Sequence, residues 1–395
     1  MPLAPKRLAF FLAAALLSAP SARALIIYGT GPTDVNNTLN TTAPTSGAAA
    51  GAPWYNVVQF GANNASGVYL GNGCVLTANH VNLVGAVVIN GISYVVDPNF
   101  TPLHVTEDNP ATSYADDVDL KLVRILGSPP LPVVQNLPLN FSATADLAAS
   151  TIIGWGKGKG TTVAGGWTWG DDTTRAERWG TNTVAGATTD GTLVSYDALY
   201  TFFNAPFPPG GTSNETQIAS GDSGGGLFVK IGSVWKLSGI STLVSTLNEA
   251  LYNPPDNSFF IRLATYGYML RYENWANAKL GSSTASATAD PDKDGLNNLL
   301  EYAFHTDPNA ASVTALPQVG MESGYVTLTY TKLMSATDLS YVVEQSASLS
   351  PASWSAAPVT EVVVATSGVT ATIKAKVAIT TETQKFLRLS VTKLP

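Results

Sequence analysis

Cysteine is almost missing from this chain. Cys74 is the only one, so no intramolecular disulfide can form, and stability must come from packing or from metal. Charge is scarce as well. Asp, Glu, Lys and Arg make up 12% of the residues against 45% hydrophobic ones. The polar surface must therefore be drawn from Ser, Thr, Asn and Gly. A formal net charge of −7 with no cluster of Lys and Arg excludes the electrostatic footprint of a nucleic-acid or anionic-membrane partner. Histidine is rare, with His80, His104 and His305 the only three, which shortens the search for a general base. There is no repeat at solenoid spacing, and no helical periodicity before "ATYGYMLRYENWANAKL" at residues 264–280.

What is present begins with a leader. Lys6 and Arg7 precede an apolar run, Leu8 to Ser18, and Ala22-Arg23-Ala24 follows. That is the charge, length and small-x-small ending of a secretory signal, expected over residues 1–24, and the run is short for a membrane span. A retained anchor is the other reading. No later run is long enough to cross a bilayer. The expected location is secreted or otherwise extracytoplasmic, with the cell surface open.

A chain of 395 residues suggests two or three folding units. From Trp54 onward, short apolar runs alternate with turns: "WYNVVQF", "CVLTA", "VDLKLVRIL", "STIIGWG", "GGLFVKI", "VWKLSGIST", "SFFIRL". Val, Ile, Tyr and Leu at this spacing predict many short strands and a closed or sandwiched all-β body. One amphipathic closing helix is expected near Tyr272 and Trp275, with Tyr268 and Leu270 on its face. Residues 281–289 are small and read as a linker. Strand patterns resume after Pro308, as in "YVTLTYT", so a small β-sandwich is expected over 312–395.

The stretch "ASGDSGGGLF", residues 219–228, sets Asp222 and Ser223 among glycines. A serine becomes a nucleophile only beside a base, and histidine is suited to that task near neutral pH. His305 lies beyond the linker and His104 lies in a loop-like stretch. His80 ends "CVLTANH", where an apolar strand runs directly into it. A third group must orient the imidazole, and "ADDVDLKLV" offers Asp116, Asp117 and Asp119.

Together, "VLTANHV" and "GDSGGG" resemble the trypsin/chymotrypsin-like serine endopeptidases in their exported bacterial form, over residues 50 to 276 or so. The resemblance implies a double β-barrel, with His80 as general base and Ser223 as nucleophile. Asp119 is the best fit to the family's Asp-hydrophobic-small pattern. It implies an oxyanion site made by the N–H groups of Gly221 and Ser223, with Gln217 at the base of the primary pocket and Thr242 near it. Without an acid at 217, an uncharged substrate side chain is expected. Gly154-Trp155-Gly156 and Trp275 are further family marks. Val81 stands where the family has a disulfide cysteine, and Cys74 reads as a small buried hydrophobe. Family members pair a freed N-terminus with the Asp before the nucleophile, here Asp222. Ile26-Ile27-Tyr28-Gly29 resembles a mature start, so removal of the leader, with trimming of a residue or so, is expected to free that terminus.

"DPDKDGLNNLLE", residues 290–301, has the D-x-D-x-D-G…E spacing of a calcium loop. Asp290, Asp292, Asp294, the Leu296 carbonyl, Asn298 and Glu301 are the candidate ligands, with Asp307 a possible addition. The entering helix of an EF-hand is absent, so the segment resembles the single calcium loops of dockerin-like and thrombospondin type 3-like segments. Structural Ca²⁺ is expected, and no cofactor for catalysis. The expected function is peptide-bond hydrolysis on a protein or peptide substrate. A catalytically silent adhesin or scaffold is the alternative, with cell-surface or polysaccharide contact through the C-terminal module. An esterase built on Gly-x-Ser-x-Gly would place its histidine last, and His80 comes first.

Overall fold

The computed structural model describes residues 25–393 apart from 30–38, 62–64, 72, 101, 107–116, 135–136, 143–147, 189–193, 206–210, 268–270, 283–284, 313–314, 335, 337, 368 and 381–383. The expected leader, Asp116, Tyr268 and Leu270 lie outside the described residues.

The first half of the protein is an antiparallel sheet. Its strands run in the order Ile92–Tyr94, Val87–Ile89, Val57–Phe60, Ala65–Gly71, Cys74–Thr77, Asp117–Arg124 and Leu103–Thr106. Asn90 and Gly91 both take positive φ, 51° and 75°, and so supply the tight turn that joins the first two of these strands. The sheet curls until the chain leaving its Ile92–Tyr94 edge meets the end of Asp117–Arg124. Val96 bridges Ile125, while Asp97 N–H donates to the Arg124 carbonyl and Leu126 N–H to the Val95 carbonyl, both at 2.8 Å. Val58, Phe60, Val75, Val87 and Val123 fill this barrel.

The second barrel closes completely through Arg178–Thr188, Ala198–Phe202, Asn257–Arg262, Val234–Val244, Gly226–Ile231 and Ala149–Gly154. Ile152, Leu199, Leu227 and Phe260 share one of its apolar clusters. A hairpin of Lys159–Val163 and Gly166–Trp169 pairs with Glu249–Leu251 at its side. Glycine and threonine carry little apolar alternation, so the sequence alone predicts no strands in this stretch.

The single closing helix expected after residue 264 is two helices among the described residues: α1, Leu263–Tyr266, and α2, Tyr272–Leu280. Tyr272 and Ala276 of α2 pack with a third helix, α3 (Asn298–Phe304), and with Leu333 and Leu339 of the C-terminal module. Asn297 caps α3, its side chain accepting from Leu300 N–H, and His305 ends it in the left-handed conformation. The small residues read as a linker lie against this cluster. Ala285 and Ala287 pack on it, and the Ala287 and Ala289 carbonyls accept from Leu299 and Asn298 N–H at 3.0 and 2.8 Å. Side chains this small let the backbone approach α3 closely.

The C-terminal module is a β-sandwich. One sheet is ordered Gln318–Glu322, Tyr325–Leu333, Thr370–Ala378, Val359–Ser367, and the other Ser355–Ala356, Leu339–Ser346, Phe386–Lys393. Tyr330 and Tyr341 stack between the sheets, their rings 6.4 Å apart and within 12° of parallel. The module is joined to the first barrel at Cys74, whose thiol donates to the Met334 carbonyl at 2.6 Å. Complete burial pushes that thiol up to about 12, so it is protonated and acts as a small buried donor rather than a nucleophile.

Candidate active site

His80 follows the strand Cys74–Thr77, which pairs with Asp117–Arg124. That register places Asp119 directly beneath the histidine. Asp119 Oδ1 accepts from the His80 backbone N–H at 2.9 Å, and its two carboxylate oxygens lie 3.0 and 2.8 Å from His80 Nδ1. Burial alone would raise the Asp119 carboxyl, but its hydrogen bonds and the charge of the His80 ring hold it below the ordinary value. A carboxylate only accepts, so Nδ1 carries a proton, and in the neutral ring the lone pair is then on Nε2. His80 is half exposed.

Thr242 is expected near the primary pocket. Its hydroxyl donates to Asp119 Oδ2 at 2.5 Å and meets the Tyr196 hydroxyl at 2.6 Å. The strand Val234–Val244 crosses behind the carboxylate and turns this side chain toward it. Tyr196, Thr242, Asp119 and His80 thus form one hydrogen-bonded chain. Gln217 is fully buried on the strand pair with Ile26–Ile27. Its Nε2 lies 3.5 Å from the Glu249 carbonyl, and its Oε1 has no partner among the described residues.

The loop that carries His80 lacks the disulfide that the resembled family has there and is held by hydrogen bonds instead. Lys121, on the strand beneath, donates to the Asn79 carbonyl at 2.8 Å and to the Val81 carbonyl. Asn79 N–H donates to the Asp119 carbonyl at 3.0 Å, and His104 Nδ1 lies 2.8 Å from Asn79 Oδ1. His104 is therefore part of this support, which its loop-like sequence did not suggest.

Ser223 arrives from the second barrel. Ser66, on the strand next to the one leading to His80, grips its loop on both sides. Ser66 N–H donates to the Ser223 carbonyl at 2.9 Å and the Ser66 hydroxyl to the Gly221 carbonyl at 2.9 Å. Gly224 N–H donates to the Ser241 carbonyl, one residue from Thr242. A Cβ on Gly224 would lie 2.0 Å from the Ser66 carbonyl oxygen, and its φ is +87°, so only glycine fits. Among the described residues the Gly221 and Ser223 N–H groups find no internal acceptor, whereas those of Asp222, Gly224 and Gly225 do.

Asp222 points the other way and is fully buried. It accepts from Gly156 N–H at 2.7 Å and Ala219 N–H at 2.8 Å. A Cβ on Gly154 or Gly156 would come within 2.3 or 2.5 Å of its carboxylate, which gives the Gly-Trp-Gly run its reason. Burial pushes Asp222 up to about 7, and the charges of Arg178 and Arg175 offset part of that rise.

Three of the expected calcium ligands come together just before α3. Asp290, Asp292 and Asp294 offer carboxylate oxygens within 4.8 Å of one another. The left-handed turn at Gly295 has φ +93°. Leu296 has its side chain buried, and its N–H donates to Asp294 Oδ1 at 2.8 Å. Asn298 and Glu301 are buried on α3.

The family model for trypsin matches residues 42–269. No curated protein matches the chain. Among solved structures, the chain is similar to neuropsin, a serine protease expressed in the limbic system of mouse brain. The identity is 17% and the TM-score 0.39, over 61% of this chain and 98% of that one. The family match spans more than half of the chain and both barrels, with His80, Asp119 and Ser223 all inside it: the chain belongs to the trypsin family.

Proposed function

We propose that the protein is an exported serine endopeptidase that hydrolyses peptide bonds through an acyl-enzyme. The observation that carries this reading is the Asp119–His80 pair. It accounts for the Nδ1 proton and so leaves Nε2 of the neutral ring to serve as the proposed base, and Ser66 supports the proposed nucleophile by anchoring the Ser223 loop. In the proposed reaction Ser223 Oγ attacks the scissile carbonyl as His80 Nε2 takes its proton. The imidazolium is stabilised by Asp119, then delivers the proton to the leaving amine. The tetrahedral oxyanion is held by the Gly221 and Ser223 N–H groups, each such donor contributing about 3 kcal/mol to the transition state. Water repeats the sequence on the acyl-enzyme. The Ser223 hydroxyl has no hydrogen bond among the described residues, and contacts of this kind tighten when substrate binds.

The register at the chain's start refines the proposed activation. Ile26 pairs with Gln217 antiparallel, a register that continues to Leu25 opposite Ile218, the neighbour of Ala219, which donates to Asp222. Leu25 is fully buried against Ile218, Leu199 and Phe260. Cleavage after Ala24 would therefore leave a buried ammonium on Leu25 near a buried carboxylate, with no further trimming.

Digestion of a peptide library, read by mass spectrometry, tests the assignment. Internal cleavage at uncharged residues that vanishes in Ser223→Ala is the expected result. Cleavage unchanged by that substitution, or no cleavage by the folded chain that begins at Leu25, would overturn it.

A further inference from the structure

Three buried oxygen atoms near the 290–294 loop lack any donor. Glu301 is fully buried, yet its Oε2 has no partner among the described residues, while Oε1 accepts from the Thr306 hydroxyl at 3.0 Å. Asn298 is 2% exposed. Its Nδ2 donates to the Ser286 carbonyl at 2.8 Å, which fixes the amide's orientation and leaves Oδ1 unpaired. Asp292 Oδ2 is the third. Asn298 and Glu301 stand three apart on α3 and so share a face. The charges that bear on Glu301 from Asp292, Asp294 and Asp307 are all of its own sign. Buried acceptors without donors, beside carboxylates of like charge, are costly unless a cation joins them.

We infer that Asp290, Asp292, Asp294, Asn298 and Glu301 bind one Ca²⁺, and that this ion fastens α2 to the C-terminal sandwich. An all-oxygen set in this spacing suits Ca²⁺ better than the smaller, stiffly octahedral Mg²⁺. The fastening follows from what adjoins the ligands. Tyr302, next to Glu301, packs its ring 5.7 Å from Tyr272 and 5.6 Å from Trp275 on α2. Its hydroxyl donates to Asp338 Oδ1 at 2.9 Å, and Tyr272 N–H donates to Asp338 Oδ2 at 2.8 Å. Asp338 belongs to the C-terminal module and is nearly fully buried. Asp294 also accepts from Ser312 N–H, at the entry to that module. Drawing Glu301 onto an ion therefore seats Tyr302 between the helix and the sandwich. The inference does not depend on peptidase activity.

The test uses the full chain freed of metal, titrated with CaCl₂ by calorimetry and followed by thermal unfolding and hydrogen exchange. One site per chain is expected, with a dissociation constant of about 10⁻⁴ to 10⁻³ M as in extracellular modules, and no equivalent heat with MgCl₂. Calcium should raise the melting temperature and slow exchange in 272–280 and 298–304 as well as in the loop. Glu301→Gln gives the sharper result because its effect should change sign. Without metal it should stabilise, by relieving like charge. With calcium it should destabilise, with at least about tenfold weaker binding. A purely structural Glu301 would show the same effect in both conditions, and that result would overturn the inference, as would the absence of calcium heat in the wild type. Protection confined to 290–296 would overturn the fastening. A chain that binds calcium but cleaves nothing would overturn the proposed function alone.

Discussion

The His80 loop and the Ser223 loop converge on one site from different barrels and are held by different means. Charged and polar side chains hold the first: Asp119 under the ring, Lys121 on the Asn79 and Val81 carbonyls, His104 against Asn79. Backbone hydrogen bonds and close approach hold the second, with Ser66 and Ser241 gripping the chain and glycines clearing space around a buried Asp222. In the proposed mechanism the histidine turns over protonation states, which suits its ionic surroundings. The serine loop would hold two N–H groups in a fixed direction, which suits its steric surroundings. The first loop should therefore respond to changes of charge, and the second to changes of volume.

The strongest way to break the first half of that contrast is Asp119→Asn. The amide keeps the shape but stabilises the wrong imidazole tautomer. A loss in kcat of about 10⁴-fold is expected, with the melting temperature nearly unchanged. A loss below tenfold would remove Asp119 from the account. For the second loop, Gly156→Ala forces a methyl to within 2.5 Å of the Asp222 carboxylate. It should destabilise by about 1–3 kcal/mol in denaturant unfolding without any change of charge. A neutral outcome would mean that the loop yields easily.

Lys121→Met keeps the stem and removes the ammonium, leaving two carbonyls beside His80 short of a donor. A stability cost of about 1–3 kcal/mol and a fall in kcat with little change in KM are expected. Lys121→Arg should restore part of both. An unchanged kcat in the methionine variant would reduce the lysine to packing.

The smallest effect concerns pH. Asp222 rises from 3.8 to about 7 on burial. Between those values the folded chain keeps a proton that the unfolded chain has released. Stability is therefore fully present below about 4 and falls as pH rises through 7. Glu215, also pushed up to about 7 by burial, adds to the same slope, so Asp222→Asn should flatten only part of it. If the Leu25 ammonium sits beside Asp222, a chain beginning at Leu25 should show a shallower slope than one retaining residues 1–24. Equal slopes would separate that terminus from Asp222.

The contrast also explains what could be read in the sequence. "LTANH" and "GDSGGG" were legible because each packs its chemistry into consecutive residues. Asp119 followed because a strand period separates it from Asp117, whose use would have buried a second carboxylate. The strand-rich body and the C-terminal sandwich were legible from apolar alternation. The supports were not. Ser66, Lys121, Tyr196 and His104 act through residues distant in sequence, and nothing local marks them. The hydrogen bond from Thr242 to Asp119 was not legible, because sequence does not say which way a strand residue near a crossing will turn. The hairpin at 159–169 was missed because glycine and threonine carry little alternation. The packing of the linker was missed because small residues read as flexible until a partner surface is known. The 290–301 spacing suggested a cation, whereas the unpaired buried oxygens of Asn298 and Glu301 needed coordinates.

The central claim is that Ser223 is a nucleophile activated by His80 and Asp119. Labelling of the folded chain that begins at Leu25 by a fluorophosphonate probe at neutral pH tests it most directly. The account predicts stoichiometric labelling on Ser223, absent in Ser223→Ala and strongly slowed in Asp119→Asn. No labelling of the folded wild-type protein, or labelling that persists in Ser223→Ala, would contradict it.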